Sequence, residues 1–199
     1  MAPERRPSRE LVQAGFQVWQ SLSEVVGLRD GAVEATILFT ELLGFPAWAL
    51  EVGDDLGLEL LRAVAAVVEP VIGAHDGRVV KRLACGHMAM FVSPLDGIEA
   101  SLEFLEKLNE VEVAHHPPNL GAGLHTGQPH RQGRDLLGTD VNIAARVSEA
   151  ARAGELLVSG PVLSAIPPEV LEHYTVARRR GFRGKGTPKA LEVFRVTLA

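Results

Sequence analysis

Apolar side chains recur along the chain at two spacings, and each change of spacing marks a new element. Behind Ser8, a good N-cap, come Leu11 and then Val12, Phe16, Trp19, Leu22 and Val26 three or four apart, and Gly27 follows them. An amphipathic helix is therefore expected within the first 33 residues. Residues 34–40 (EATILFT) are β-rich and run into LLGFP, where glycine and proline punctuate a turn before the next helix. Residues 54–74 place Leu56, Leu60, Val64, Val67, Val68 and Val71 on one face of a long helix, and Pro70 should kink it or mark its last turns. The apolar runs 78–83 and 87–92 are separated by Ala84, Cys85 and Gly86, which reads as an antiparallel hairpin with Cys85 at its tip. A helix with Ile98, Leu102, Leu105 and Leu108 at helical intervals follows Pro94, and residues 121–126 form the next strand. GQPHRQGRD is a polar loop, and an alanine-rich helix spans 139–153 until Gly154 stops it. Residues 155–159 and 190–196 are the last strands, the final one closing the sheet.

Strand, two helices, hairpin, helix, strand, helix, strand is the order of an α+β domain: a largely antiparallel, ferredoxin-like sheet with helices covering one face. At 199 residues and 46% hydrophobic side chains, the chain has the length for one such domain with a substantial core. The first ten residues, MAPERRPSRE, lack the apolar centre of a secretory signal, and no run of about 18 apolar residues follows. A cytoplasmic protein with no membrane span is expected. The single cysteine excludes an intrachain disulfide, and a net charge of −5 argues against a general nucleic-acid binder. Charge is nevertheless uneven: residues 178–189 (RRRGFRGKGTPK) carry six bases and no acid, whereas 51–59 carry four acids and no base. Such a basic loop is either solvated surface or an element that faces an anion.

Three segments stand in a specific order and spacing: ILFTELLGF at 37–45, GRVVKRLACGHMAMF at 77–91 and GLHTGQPHRQGRDLLGTDVNIAARV at 123–147. With FRGKGTPKALEVFRV at 182–196, they resemble the catalytic domain of the class III adenylyl/guanylyl cyclases over roughly Glu34 to Val196. The resemblance implies a cyclase homology domain at 34–199 with residues 1–33 as an extension. It also implies head-to-tail pairing, as a homodimer or as a heterodimer with another cyclase domain, with ATP or GTP in the groove between the two. In the family the ribose 3′-oxygen attacks the α-phosphate in line, and pyrophosphate leaves. Two divalent ions, Mg or Mn, activate the attacking oxygen and neutralise phosphate charge.

The resemblance assigns residues to both halves of such a site. Lys81 and Asp135 match the pair that reads adenine, the ammonium donating to a ring nitrogen and the carboxylate accepting from the exocyclic amine. Asn142 and Arg146 match the ribose-positioning asparagine and the transition-state arginine, and their spacing puts both on one helical face. Lys185 matches a lysine for the terminal phosphates, and Gly44 and Phe45 belong to the substrate loop, where Pro46 replaces a residue with an amide hydrogen. The metal half departs from the family. Glu41 stands for the first aspartate with an arm one methylene longer, Cys85 stands for the second, and Ala84 replaces a glycine beside it. A thiol is mostly neutral near pH 7 and is a soft ligand unsuited to Mg²⁺. Glu41, Cys85 and His87 could instead offer oxygen, sulfur and nitrogen to a softer ion, although three ligands are an incomplete structural set.

Three functions remain open on this basis. The chain is a catalytically impaired adenylyl cyclase-like domain that binds nucleotide or complements another half, an active homodimeric adenylate cyclase using Mn²⁺, or a non-catalytic dimerisation module.

Overall fold

The centre of the fold is β1 (Ala35–Leu42), whose side chains alternate between two apolar compartments. Leu38 and Leu42 point into the larger core, while Ala35 and Ile37 join Met88, Met90, Leu136 and Ala144 on the opposite side. The structure, a computed structural model, describes residues 34–182 and 184–199. The helix expected behind Ser8 lies outside the described residues.

Beyond β1 the chain forms α1 (Phe45–Val52) and α2 (Asp54–Ala74), the hairpin β2 (Arg78–Leu83) and β3 (Gly86–Phe91), then α3 (Pro94–Lys107) with a short 3₁₀ turn. β4 (Leu120–Gly127), β5 (His130–Gln132), β6 (Asp135–Leu137) and α4 (Thr139–Glu149) follow. The last elements are β7 (Leu156–Ser159), α5 (Gly160–Ser164), α6 (Pro168–Leu171), β8 (Tyr174–Arg178) and β9 (Val193–Leu198). Seven strands make one sheet in the order β2-β3-β1-β4-β7-β9-β8, antiparallel throughout except for β4 beside β7. The four strands β2-β3-β1-β4 reproduce the ferredoxin-like core expected from the element order.

Helices flank this sheet on both faces rather than one. α2 and α3 cover the face that receives Leu38, Phe91 and Leu124, burying Leu60, Val64, Val68, Ile72, Ile98 and Phe104. Each such leucine or phenylalanine contributes about 1.5–3 kcal/mol by leaving water. α4 lies across the other face, where Ile143 and Val147 meet Leu157 and Val193. It approaches so closely that a side chain on Gly123 of β4 would sit 2.2 Å from the Ser148 amide nitrogen. A bare backbone at that point lets α4 seat directly on the sheet.

Several boundaries differ from the expectation. The loop GQPHRQGRD is a small hairpin, β5 with β6, turning at Gly133. α4 stops at Glu149, four residues before Ala153, because the amides of Ala150 and Ala151 bond back only three residues and the Gly154 amide donates to the Leu120 carbonyl of β4 at 2.9 Å. The segment is tied to the sheet instead of continuing a helix. The last strand is shifted to Val193–Leu198 and lies inside the sheet, between β7 and β8, so β8 and not β9 forms the edge. Pro70 sits in the last turns of α2, which continues to Ala74.

Candidate functional site

The cleft around Glu41 follows from how the β2–β3 turn docks on the end of β1. The Leu42 amide donates to the Cys85 carbonyl at 2.7 Å, and the His87 amide donates to Thr40 Oγ1 at 2.9 Å. Gly86 permits this closeness, since a β-carbon there would lie 1.9 Å from the Thr40 carbonyl oxygen. Glu41 and Cys85 are thereby brought together as the sequence suggested, lining a cleft of about 320 Å³ with Phe39, Thr40 and the Ala145–Ser148–Glu149 side of α4. Burial and the charge of Glu41 push the Cys85 thiol above its ordinary value, so it stays protonated at neutral pH.

Among the described residues no group of three or more His, Cys, Asp or Glu side chains is arranged to hold a metal ion. The softer-ion set of Glu41, Cys85 and His87 is not assembled. His87 turns to the α2 side of the sheet, where its Nε2 is 3.3 Å from Glu69 Oε1. A carboxylate beside a neutral thiol also does not fit a pair of hard divalent ions, which require several oxygen ligands in near-ideal geometry.

Lys81 and Asp135 do come together. The Lys81 ammonium donates to both Asp135 oxygens at 2.8 and 2.6 Å, joining β2 to the β5–β6 hairpin. The lysine's hydrogen bond holds the Asp135 carboxyl below its usual range, helped by the Leu136 amide. Both side chains are about two-fifths exposed, 41% and 39%, so the pair is worth at most about 1 kcal/mol and opens readily. Asn142 and Arg146 lie one turn apart on α4, with Asn142 exposed. Arg146 Nη1 donates to both oxygens of Glu149 at 2.5 Å, and Glu149 in turn lines the Glu41–Cys85 cleft. Lys185 stands exposed in the basic loop. Gly44 caps α1 at φ 75°, a left-handed conformation that favours glycine, and Phe45 packs against Trp48 with ring centres 6.3 Å apart. Pro46 occupies the first turn of α1, where a missing amide hydrogen leaves one donor fewer at the helix start.

Glu149 and Asp140 were not singled out by the sequence, and both bear on α4. Glu149 was detectable only as an acid three residues after Arg146, a spacing that pairs side chains on a helix. Asp140 anchors the start of α4. It accepts hydrogen bonds from the Gln128 amide at 2.7 Å and from His125 Nε2 at 3.2 Å, leaving His125 Nδ1 to accept from the Ser159 hydroxyl at 2.7 Å. His125 and Ser159 are both buried, so the chain of bonds serves to fix α4 against β4 and β7 and gives no substrate access.

Burial pushes the imidazoles of His125 and His87 below the ordinary value of 6.5, against the pull of Asp140 and Glu69. The unfolded chain takes up protons on these rings near pH 6.5, whereas the folded chain does not. Stability is therefore expected to decline as pH falls below about 6.5, by at most about 1.4 kcal/mol per pH unit for each ring. Thermal melts between pH 7.5 and 5 check this, and a midpoint unchanged over that range would contradict it.

No family model matches the chain. Solved structures share its fold. An adenylate cyclase from Trypanosoma brucei in its monomeric state superposes with a TM-score of 0.75 at 17% identity, over 85% of this chain and 91% of that one. The adenylyl cyclase CyaB from P. aeruginosa gives 0.73 at 16% identity, over 86% and 97%. The guanylate cyclase domain of RhGC from Catenaria anguillulae, solved in complex with GTP, gives 0.73 at 15% identity, over 84% and 97%. The chain thus has the fold of the class III nucleotidyl cyclase catalytic domains. In sequence, it is 27% identical over 139 residues to a pH-sensitive adenylate cyclase of Mycobacterium tuberculosis, and 30% identical over 96 residues to putative adenylate cyclase 3 of Rhizobium meliloti. Those matches take in 68% and 47% of this chain but only 33% and 16% of the relatives, so the chain spans a third or less of their length. No helix of the described residues is long and apolar enough to cross a membrane.

Proposed function

We propose that this chain is an adenylyl cyclase-like domain that turns over little ATP alone and supplies the nucleotide-reading half of a site completed by a metal-competent cyclase partner. The supporting observation is the contrast between two halves of one chain. Lys81 and Asp135 are in direct contact beside an exposed Asn142–Arg146 helix face, whereas the metal half pairs Glu41 with a protonated Cys85.

On this reading the Lys81–Asp135 pair opens for adenine, Lys81 donating to a ring nitrogen and Asp135 accepting from the amine. Guanine would leave both groups unpaired, which favours ATP. Asn142 orients the ribose. Arg146 leaves Glu149 and offers its forked donors to the phosphoryl oxygens, where preorganised charge counts most. Lys185 and the Gly44–Phe45 turn take the remaining phosphates on this reading. The two ions, when held by the partner, neutralise phosphate charge and activate the attacking oxygen.

The test is rescue. The purified chain is added to a cyclase with an intact metal site but no transition-state arginine, and cyclic AMP is measured with Mg²⁺. Formation should rise with added chain and saturate; no increase at excess protein sinks the complementation reading.

A further inference from the structure

We propose that the turn at residues 113–116 is a brace that fixes the conformation of the Gly44–Phe45 turn, with His116 as its positioning residue. Its consequence for nucleotide rests on the reading of Gly44 and Phe45 as substrate residues.

The brace has a backbone that its sequence does not favour. The Val113 amide donates to the His116 carbonyl at 3.1 Å and the His116 amide to the Val113 carbonyl at 2.9 Å, which leaves Ala114 and His115 as a two-residue loop. Their φ angles are 50° and 60°. Loops of this kind with positive φ at both positions are usually built from asparagine or aspartate and glycine, because a β-carbon disfavours the left-handed region. Residues are held there only where the surroundings over-determine them. Contacts of the two side chains do not account for it: Ala114 is exposed, and the His115 side chain is 99% exposed with Nδ1 2.9 Å from Glu112 Oε1. The turn is instead fixed from its ends. Val113 is buried in the main core, Leu120 is buried at the start of β4, and Pro117 and Pro118 stiffen the run between them.

What the turn delivers is His116. Its imidazole is stacked on the Trp48 indole of α1, with ring centres 4.5 Å apart and planes 17° apart, and the same indole meets Phe45 at 6.3 Å. The Trp48 amide donates to the Gly44 carbonyl at 3.1 Å, and on the other side of Gly44 the Leu43 amide donates to the Asn119 carbonyl at 2.8 Å. Residues 116–119 thus grip the chain on both flanks of Gly44, the residue whose left-handed φ of 75° has most freedom to change. A turn set before nucleotide arrives has less ordering to lose on binding.

The test begins with the ligand-free full chain. His116→Ala is expected to change the amide coupling of Gly44, which reports its φ, and to speed hydrogen exchange of the Leu43 amide about fivefold, the scale of one aromatic pair. His116→Leu, apolar but without a flat ring, should behave likewise, whereas His116→Phe should restore both readings. ATP is then titrated by calorimetry: affinity should fall about fivefold in His116→Ala, return in His116→Phe, and stay at the parent value in Ala114→Gly, which relaxes the loop but keeps the stack. A Gly44 coupling and Leu43 exchange rate unmoved by both His116→Ala and His116→Leu would overturn the brace, as would equal ATP affinity in parent and His116→Ala. Absence of ATP binding by the parent, with the Gly44 and Leu43 changes present, would uphold the brace and overturn the substrate reading of Gly44 and Phe45.

Discussion

In the complemented dimer, Arg146→Ala is expected to lower cyclic AMP formation by about 10²–10³-fold while leaving ATP affinity within a few-fold. This is the scale on which a single preorganised donor to developing charge is felt. Arg146 is suited to that effect because it is presented by a helix whose seat is fixed twice, by the bare Gly123 backbone beneath Ser148 and by the Asp140 anchor at its start. Its contact with Glu149 is exposed, at 41% and 48% of the two side chains, so the guanidinium leaves that partner at little cost when phosphate is present. Arg146→Lys should recover only part of the loss, since an ammonium keeps the charge but not the fork. The measurement is kcat against KM for the rescued reaction. A loss confined to KM would mean that Arg146 binds nucleotide without acting on the transition state.

Glu41→Asp combined with Cys85→Asp should have the opposite effect. The double variant is expected to acquire Mg²⁺ binding and to raise Mg²⁺-dependent cyclic AMP formation of the chain alone by on the order of 10²-fold or more, since even the loss of an outer-shell metal partner costs 10–100-fold. The geometry favours restoration. The Leu42–Cys85 backbone bond already holds the two positions at one cleft, so only the ligand chemistry has to change. Shortening position 41 retracts the carboxylate by one methylene, and a carboxylate at position 85 replaces a thiol whose proton is retained by burial and by its acidic neighbour. Titration with Mg²⁺ by calorimetry, beside a cyclase assay of parent and variant, gives the answer. Vigorous turnover by the unmodified chain with Mg²⁺ alone would remove the reason for expecting a partner.

The parts of the fold that were legible in the sequence are those where burial imposes a period. α2 was read to its ends because Leu60, Val64, Val68 and Val71 repeat on one face, and β1 and the β2–β3 hairpin were read because apolar runs met glycine-bearing turns. β8 left no such mark: four of its five residues are exposed, so its strand state comes from pairing with β9 and not from its own pattern. The β5–β6 hairpin was hidden for the same reason, being three residues long on each side and mostly polar. α5 and α6 are short helices begun by Pro161 and Pro168 in segments without periodicity. At the candidate site, Lys81 with Asp135 and Glu41 with Cys85 were placed together by the family resemblance, and their proximity followed. Glu149, Asp140 and the inward turn of His87 depend on how α4 and α2 approach the sheet, which no local pattern encodes.

The position of β9 has a consequence for how the molecule is made. Because the strand nearest the C-terminus fills the slot between β7 and β8, a nascent chain leaving the ribosome can complete β2-β3-β1-β4-β7 but must leave β8 with no neighbour until Val193–Leu198 emerges. Closure of the sheet is therefore the last step in completing this domain, and a cut before Val193 would strip two ladders at once and leave β7 as a bare rim open to self-association.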